Sequence, residues 1–327
     1  MSVEDLALPP NDFLQDEPEG AAFCKAFQAS GIAEFDCRYL AIFRNGQWIA
    51  TVPYFLHTFS ANTMLPDGVL KKCLARVKFG IACVGHPSAD FGMMDGEVSE
   101  DVLSLVNAVL RKKMPLVAYK GFAADLPLPG FTRANGLPVS VLTIAGDYYS
   151  GLSARRLDDF RRKLKKAEPL RFEECDALPE HLLAQVFRLY LNTYEQSPIR
   201  FERLTLDYFR KTAGISKFIL CFEGEILIGF AQLIGKQRKM VGKYMGMDYE
   251  CNRCYGLYFL LCLKAIEACA REGYTQLDLG VTSYHFKHLL GSQLIETSIY
   301  YRHNNPLANW LLDKLKFLLE PSTEDLQ

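Results

Sequence analysis

Residues 243–294 read KYMGMDYECNRCYGLYFLLCLKAIEACAREGYTQLDLGVTSYHFKHLLGSQL. The stretch opens at the end of an alternating strand predicted from Met240 to Asp248. It continues through a Gly-containing loop into an unbroken apolar run, predicted as a helix from Tyr255 to Glu272. Gln276 to Gly280 is a second strand, and Thr282 to Gly291 a loop with a short helix. Strand, glycine loop, long helix, strand is the grammar of an α/β unit, and a helix N-terminus just after a strand is a place where backbone N–H groups receive anions.

Working outward, Lys217 to Phe222 and Ile226 to Ile234 flank Glu223-Gly224 as a hairpin, and the polar turn Gly235 to Lys239 leads into the strand above. A similar unit stands earlier, where Arg38 to Phe43 and Gln47 to Leu56 flank Asn45-Gly46. A helix over Glu100 to Lys113 follows it and feeds a strand over Leu116 to Tyr119. The segments LAIFRNGQWIATVPYFL (40–56) and FILCFEGEILIGFAQLI (218–234) share this order with few identities, which predicts duplication. Between the units Ser153 caps a predicted helix whose Leu157, Phe160 and Leu164 share one face. Residues 155–166 hold seven Lys or Arg and two Asp, a local net charge of +5. That face is either a solvated linker surface or a phosphate or RNA contact. Residues 306–319 predict a last helix, with Leu307, Trp310, Leu311, Leu315 and Leu318 as a core-packing stripe; membrane association would need a larger basic flank than Lys314 and Lys316 supply.

Composition narrows the function. Hydrophobic residues make up 49% and charged residues 23% of 327, the profile of a folded protein of about two domains rather than a disordered chain. The net charge of -1 supplies no global attraction to nucleic acid or to an anionic membrane. No run approaches the roughly 20 apolar residues of a membrane span, and the N-terminus lacks a signal-peptide core, so a cytoplasmic location is expected. Cys221, Cys262 and Cys269 lie in apolar segments, as buried reduced thiols do. Nucleophile-elbow, Walker and dinucleotide-loop motifs are lacking. Cys251 and Cys254 have metal-ligand spacing, but a structural zinc needs four ligands. His285 and His288 complete such a set only if two loops meet, and no metal is expected.

Arg253 and Gly256, ahead of the long helix, resemble the phosphate-binding loop of GNAT acyltransferases, written Q/R-x-x-G-x-G/A, with Tyr258 in place of the last small residue. The segment Gly280 to Gly291 is similar to the closing segment of FemABX-like transferases, where a Phe-Lys pair, here Phe286-Lys287, precedes a Gly. With the duplication and the basic helix, the chain resembles a FemABX-like double-GNAT protein. The resemblance implies an α/β fold of tandem GNAT-like halves, each a mixed, mainly antiparallel sheet flanked by helices. The expected divisions are residues 1–152, a linker helix at 153–171, the acyltransferase half at 172–304, and a tail at 305–327.

It further implies an N-acyltransferase that moves an acyl group from acyl-CoA to a small-molecule amine. The alternatives are an aminoacyl-tRNA-dependent transferase acting on an envelope precursor, with tRNA on helix 155–166, and a non-catalytic binding protein of the same fold. Gly246 and Met247 would polarise the carbonyl through backbone, although Gly246 also reads as a relief of crowding. Arg253, Tyr255, Gly256 and Leu257 would hold the donor's phosphates, and Lys287 a donor phosphate or carboxylate. Tyr284 would be the general acid or a packed aromatic, and Asp248 or Glu250 would receive the amine proton. Tyr194, Glu195 and Arg200 would contact the acceptor.

Overall fold

Hydrogen bonding divides the chain between two sheets, as described by a computed structural model for residues 1–60, 78–197, 202–318 and 320–321. In chain order the strands are β1 (Ser2–Leu6), β2 (Asp36–Arg44), β3 (Gln47–Ser60), β4 (Lys78–Val84), β5 (Asp95–Gly96), β6 (Leu116–Phe122), β7 (Thr132–Asn135) and β8 (Val139–Thr143). The second half supplies β9 (Leu170–Cys175), β10 (Lys217–Glu223), β11 (Ile226–Lys236), β12 (Lys239–Met247), β13 (Gln276–Gly280), β14 (Gln293–Ile295) and β15 (Ser298–His303). The helices are α1 (Ala21–Gln28), α2 (Glu100–Lys113), α3 (Ala154–Lys166), α4 (Leu183–Gln196), α5 (Leu206–Thr212), α6 (Tyr249–Tyr255), α7 (Leu257–Arg271), α8 (Tyr284–Leu289) and α9 (Pro306–Lys314).

Sheet one runs β1-β2-β3-β4-β6-β15-β7, with β5 added on β3, and sheet two runs β14-β8-β13-β12-β11-β10-β9. Read from β1 and from β9, the orders correspond strand for strand. Each has antiparallel neighbours up to one parallel pair, β4 with β6 and β12 with β13. Each parallel pair is connected through its long helix, α2 or α7. This is the expected duplication. Sheet and sequence boundaries nevertheless cross. β8 precedes the linker helix yet pairs with β13, while β15 follows the second unit yet pairs with β6.

The elements form where their residues favour them. Asn45 (φ 53°) and Gly46 (φ 79°) make the turn between β2 and β3, since both positions need left-handed backbone. Ser99 caps α2 by accepting from the Val102 N–H, and Ser153 caps α3 through the Arg156 N–H. Helix α7 buries Leu257, Leu260, Leu261, Leu263 and Ile266 against one face of sheet two. Helix α4 covers the other face with Leu183, Val186, Leu189 and Tyr190.

Two expectations about helices change. The helix predicted over Tyr255 to Glu272 stands as α7, Leu257–Arg271, and what changes is the loop ahead of it, which coils into α6. Its end is Gly256, in the left-handed conformation at φ 74°. The stripe on α9 faces outward: Leu307 is 73%, Trp310 57% and Leu311 49% exposed, while Leu312 on the opposite side packs inward.

Candidate active site

A cleft of about 700 Å³ lies between the two sheets. Its origin is the β12–β13 pairing, which holds only at Lys239–Val241 against Gln276–Asp278; beyond it the strands part. The wedge is lined by Gly242, Lys243, Tyr244 and Met245 on one side and Leu277, Leu279 and Gly280 on the other. The Asp248 N–H donates to Ile228 O at 2.8 Å, and β12 continues in register with Met247 opposite Gly229. By the alternation of an antiparallel ladder, Gly246 therefore bonds to β11. The N–H groups of Met245 and Met247 turn toward the wedge side.

Charged groups from both halves meet at the cleft. The Lys243 side chain is buried, and its Nζ donates to Glu19 Oε1 and Ser88 O. Tyr244 Oη donates to Glu202 Oε1 and lies 2.7 Å from Ser88 Oγ. Burial pushes the Glu202 carboxyl above the usual carboxylate range. From sheet one, Lys120 Nζ donates to Pro87 O (3.0 Å) and Ala89 O (2.8 Å), fixing the loop that carries Ser88 and Asp90. Asp278 is buried beside Asp90, and desolvation with that like charge raises its carboxyl well above the ordinary range. Lys287 Nζ donates to Gly280 O (3.0 Å) and Val281 O (2.8 Å). Desolvation lowers its amine to about 8, and it lines the cleft with capacity for a third hydrogen bond.

The α7 side forms a third wall of the cleft. Tyr258 and Cys262 line it, with the Tyr258 ring 4.8 Å from Phe286. Burial pushes the Cys262 thiol up to about 12, which keeps it protonated rather than nucleophilic. At the first turn of α7, the Tyr258 N–H is taken by Asn252 Oδ1 at 3.0 Å. Basic helix α3 packs on this same turn, with Phe160 4.8 Å from Phe259 and Lys163 Nζ 4.3 Å from the Phe259 ring.

Of the residues expected to act, Tyr194 and Lys287 line the cleft. Tyr284 lies elsewhere: it is buried, and its hydroxyl donates to Pro138 O at 2.8 Å. Asp248 is the cap of α6, accepting from the Glu250 and Cys251 N–H groups at 2.9 Å each, and Glu250 is exposed beside Arg253. Both acids stand outside the cleft lining. Arg253 is exposed, Tyr255 turns its hydroxyl to Glu223, and Leu257 and Met247 pack into the core under α7. Gly256 supplies the turn between α6 and α7. Gly246 relieves crowding: a Cβ there would lie 2.5 Å from the Leu189 carbonyl carbon and the Tyr190 nitrogen. The strand irregularity lies elsewhere, opposite Gln232/Leu233. Glu195 is exposed at the end of α4, and Arg200 lies outside the described residues.

Sequence reasoning passed over Lys243, Tyr244, Asp90 and Lys120. A lysine inside an otherwise apolar strand was the available signal for the first. The others come from segments far apart in the chain. Cys251 and Cys254 with His285 and His288 form no metal-binding group among the described residues. No described helix is long and apolar enough to cross a membrane.

A family model described as an acetyltransferase (GNAT) domain matches residues 153–288. Among solved structures the fold is similar to FemX, with a TM-score of 0.58 at 13% identity over 95% of this chain and 100% of that one. It is also similar to a C-terminal domain assigned to a lysylphosphatidylglycerol synthetase of Agrobacterium fabrum (TM-score 0.57, 13% identity, 93% and 92% covered). A tandem GNAT protein from the clavulanic acid biosynthesis pathway gives 0.50 at 11% identity, covering 93% and 99%. No curated protein sequence matches. Residues 153–288 thus match a GNAT domain, and the fold of the two paired sheets is similar to the FemABX-like arrangement of two such units.

Proposed function

We propose that this protein transfers an aminoacyl group from a polyanionic donor, an aminoacyl-tRNA, to an amine bound in the cleft. One observation carries the choice of donor. At the first turn of α7 the amide of Tyr258 is already satisfied by Asn252, so the anion cradle is reduced, while α3 sets its basic face beside it. A nucleic-acid backbone bound along α3 needs no pyrophosphate cradle. The acceptor amine would attack the ester carbonyl, with the Met245 N–H and the remaining Lys287 donor stabilising the oxyanion. The amine's proton passes to the Glu202 carboxylate, the ester C–O bond breaks, and the leaving ribose oxygen takes that proton from the Glu202 carboxylic acid, which restores the carboxylate. Tyr244 holds Glu202 in place.

Acyl-CoA is the second reading. It is favoured by the start of α7 at Leu257, directly after Gly256 and with no side-chain cap, a position where backbone N–H groups can take an anion. The test offers the protein charged tRNA labelled in its aminoacyl group, and separately acyl-CoAs of several lengths, each with pooled amines. Label should move from tRNA to an amine, and fall by at least about 100-fold in Lys287→Met. Release of free thiol from acyl-CoA with charged tRNA untouched would reverse the choice of donor. No turnover of either leaves the fold as a binding module.

A further inference from the structure

Helix α9 is amphipathic in the reverse sense. Leu307, Trp310 and Leu311, at spacings of three and four, point outward and are 73%, 57% and 49% exposed, and Phe317 beyond them is 62% exposed. Lys314 and Lys316 are exposed on the same segment. The underside of the helix is fixed by Leu312, whose carbonyl accepts from Tyr301 Oη at 3.2 Å. The outward face is therefore held in place and is not a frayed end.

Beside it lies a second pocket, of about 360 Å³, whose wall includes Arg111, Thr132, Arg302, Trp310 and Asp313. Arg111 Nε is buried with no partner among the described residues, and the charge of another cation, Arg302, acts on its guanidinium. Arg302 Nη1 donates to Pro129 O, at 3.3 Å. Asp313 accepts from Thr132 Oγ1 at 3.2 Å. Two guanidiniums share this wall with one carboxylate, Asp313, that no ion pair joins to either among the described residues, and one keeps an unused buried N–H, so the pocket has capacity for an anion.

We propose that α9 and the Arg111–Arg302 pocket dock this protein on an anionic phospholipid surface. The guanidiniums take a lipid phosphate, and Leu307, Trp310, Leu311 and Phe317 enter the headgroup boundary. The pairing of the two features decides between occupants. A free phosphate would satisfy the arginines and leave the apolar stripe in water. A lipid satisfies both, with the lysines at the level where basic side chains meet anionic headgroups. The inference stands apart from the transferase reading and uses no cleft residue.

The test is co-sedimentation of the full chain with vesicles of phosphatidylcholine containing about one third phosphatidylglycerol, beside vesicles of phosphatidylcholine alone. Trp310 fluorescence in a Trp48→Phe background is read in parallel. The anionic vesicles should bind at least about tenfold more tightly and shift Trp310 emission to the blue. Arg302→Gln, and separately Leu307→Ala with Phe317→Ala, should each weaken binding about fivefold, and Arg111→Gln should do the same. All the aliphatic and aromatic positions are exposed, so those variants fold. Equal binding to both vesicles, or binding unchanged in the variants, overturns the proposal. Binding of inorganic phosphate at the pocket without vesicle binding makes it a free-anion site and also overturns it. So does a dimer in light scattering that Trp310→Ala dissolves while vesicles remain unbound.

Discussion

Replacing Gly246 by alanine tests the placement of the cleft with a single methyl group. A Cβ on Gly246 would lie 2.4 Å from Phe230 Cε1 and 2.5 Å from both the Leu189 carbonyl carbon and the Tyr190 nitrogen. The phenyl ring can yield, but the other two atoms are helix backbone. Ordinary contact needs roughly 1 Å more, so α4 and β12 must separate by about that distance. The residues that would lose contact, Leu183, Val186, Leu189 and Tyr190, form much of the core on this face. Overpacking commonly costs about 1–3 kcal/mol, and with rigid obstructing atoms we place the cost near the upper end, about 3 kcal/mol. That is a sizeable share of the roughly 5–15 kcal/mol that holds a domain together. Urea unfolding followed by circular dichroism should show the midpoint falling by on the order of 1 M. Turnover should drop by tenfold or more, because shifting β12 displaces the Met245 amide and Tyr244. Gly214→Ala is the matched control, since a Cβ there meets nothing within 4 Å. If Gly246→Ala unfolds within about 0.5 kcal/mol of the parent, the close approach of α4 to β12 is refuted.

Three further outcomes are expected. The Lys287 amine is lowered from 10.5 to about 8 in the fold, so between those values the unfolded chain binds a proton that the folded chain releases. Stability relative to Lys287→Met should therefore be flat below the lower value and rise above it by at most about 3 kcal/mol, read from urea midpoints across pH; a fall contradicts the assignment. Glu202→Gln keeps a partner for Tyr244 but removes the base, so kcat should fall about 100-fold with KM nearly unchanged; equal loss in both would make the residue a binding group. Arg161→Glu with Arg162→Glu, both highly exposed, should weaken charged-tRNA use and flatten its salt dependence while leaving urea stability within about 0.5 kcal/mol; unaltered salt dependence removes tRNA from α3.

Local signals carried the sequence reading a long way. Asn45-Gly46 and Glu223-Gly224 mark hairpins, Ser99 and Ser153 mark helix starts, and Gln276–Gly280 forms a strand with the expected bounds, because each depends on neighbours within a few residues. Features made by distant segments were not legible. Asp248 has the residue type of a catalytic carboxylate, but its sequence neighbours Glu250 and Cys251 offer N–H groups that claim it as a cap. Tyr284 is claimed by Pro138, 146 residues away. The charged centre joins Glu19, Ser88, Asp90, Lys120, Glu202 and Lys243, whose only common property in the sequence is polarity. The reversed stripe on α9 has the same periodicity as a buried one. Period tells which residues share a face, not which side the protein lies on.

The exchange of β8 and β15 has a practical corollary for handling the protein. Residues 153–288, excised alone, would leave β13 without its outer neighbour and present a raw row of amides and carbonyls to any passing chain, a recipe for fibres and inclusion bodies. A protease nick between Asp147 and Ser153 would have the opposite character. The fragments would remain clasped, each gripping a ribbon donated by the other, and would part only on denaturation. Neither lobe is a removable module; maturation, evolution and engineering must treat the pair as one interlocked body.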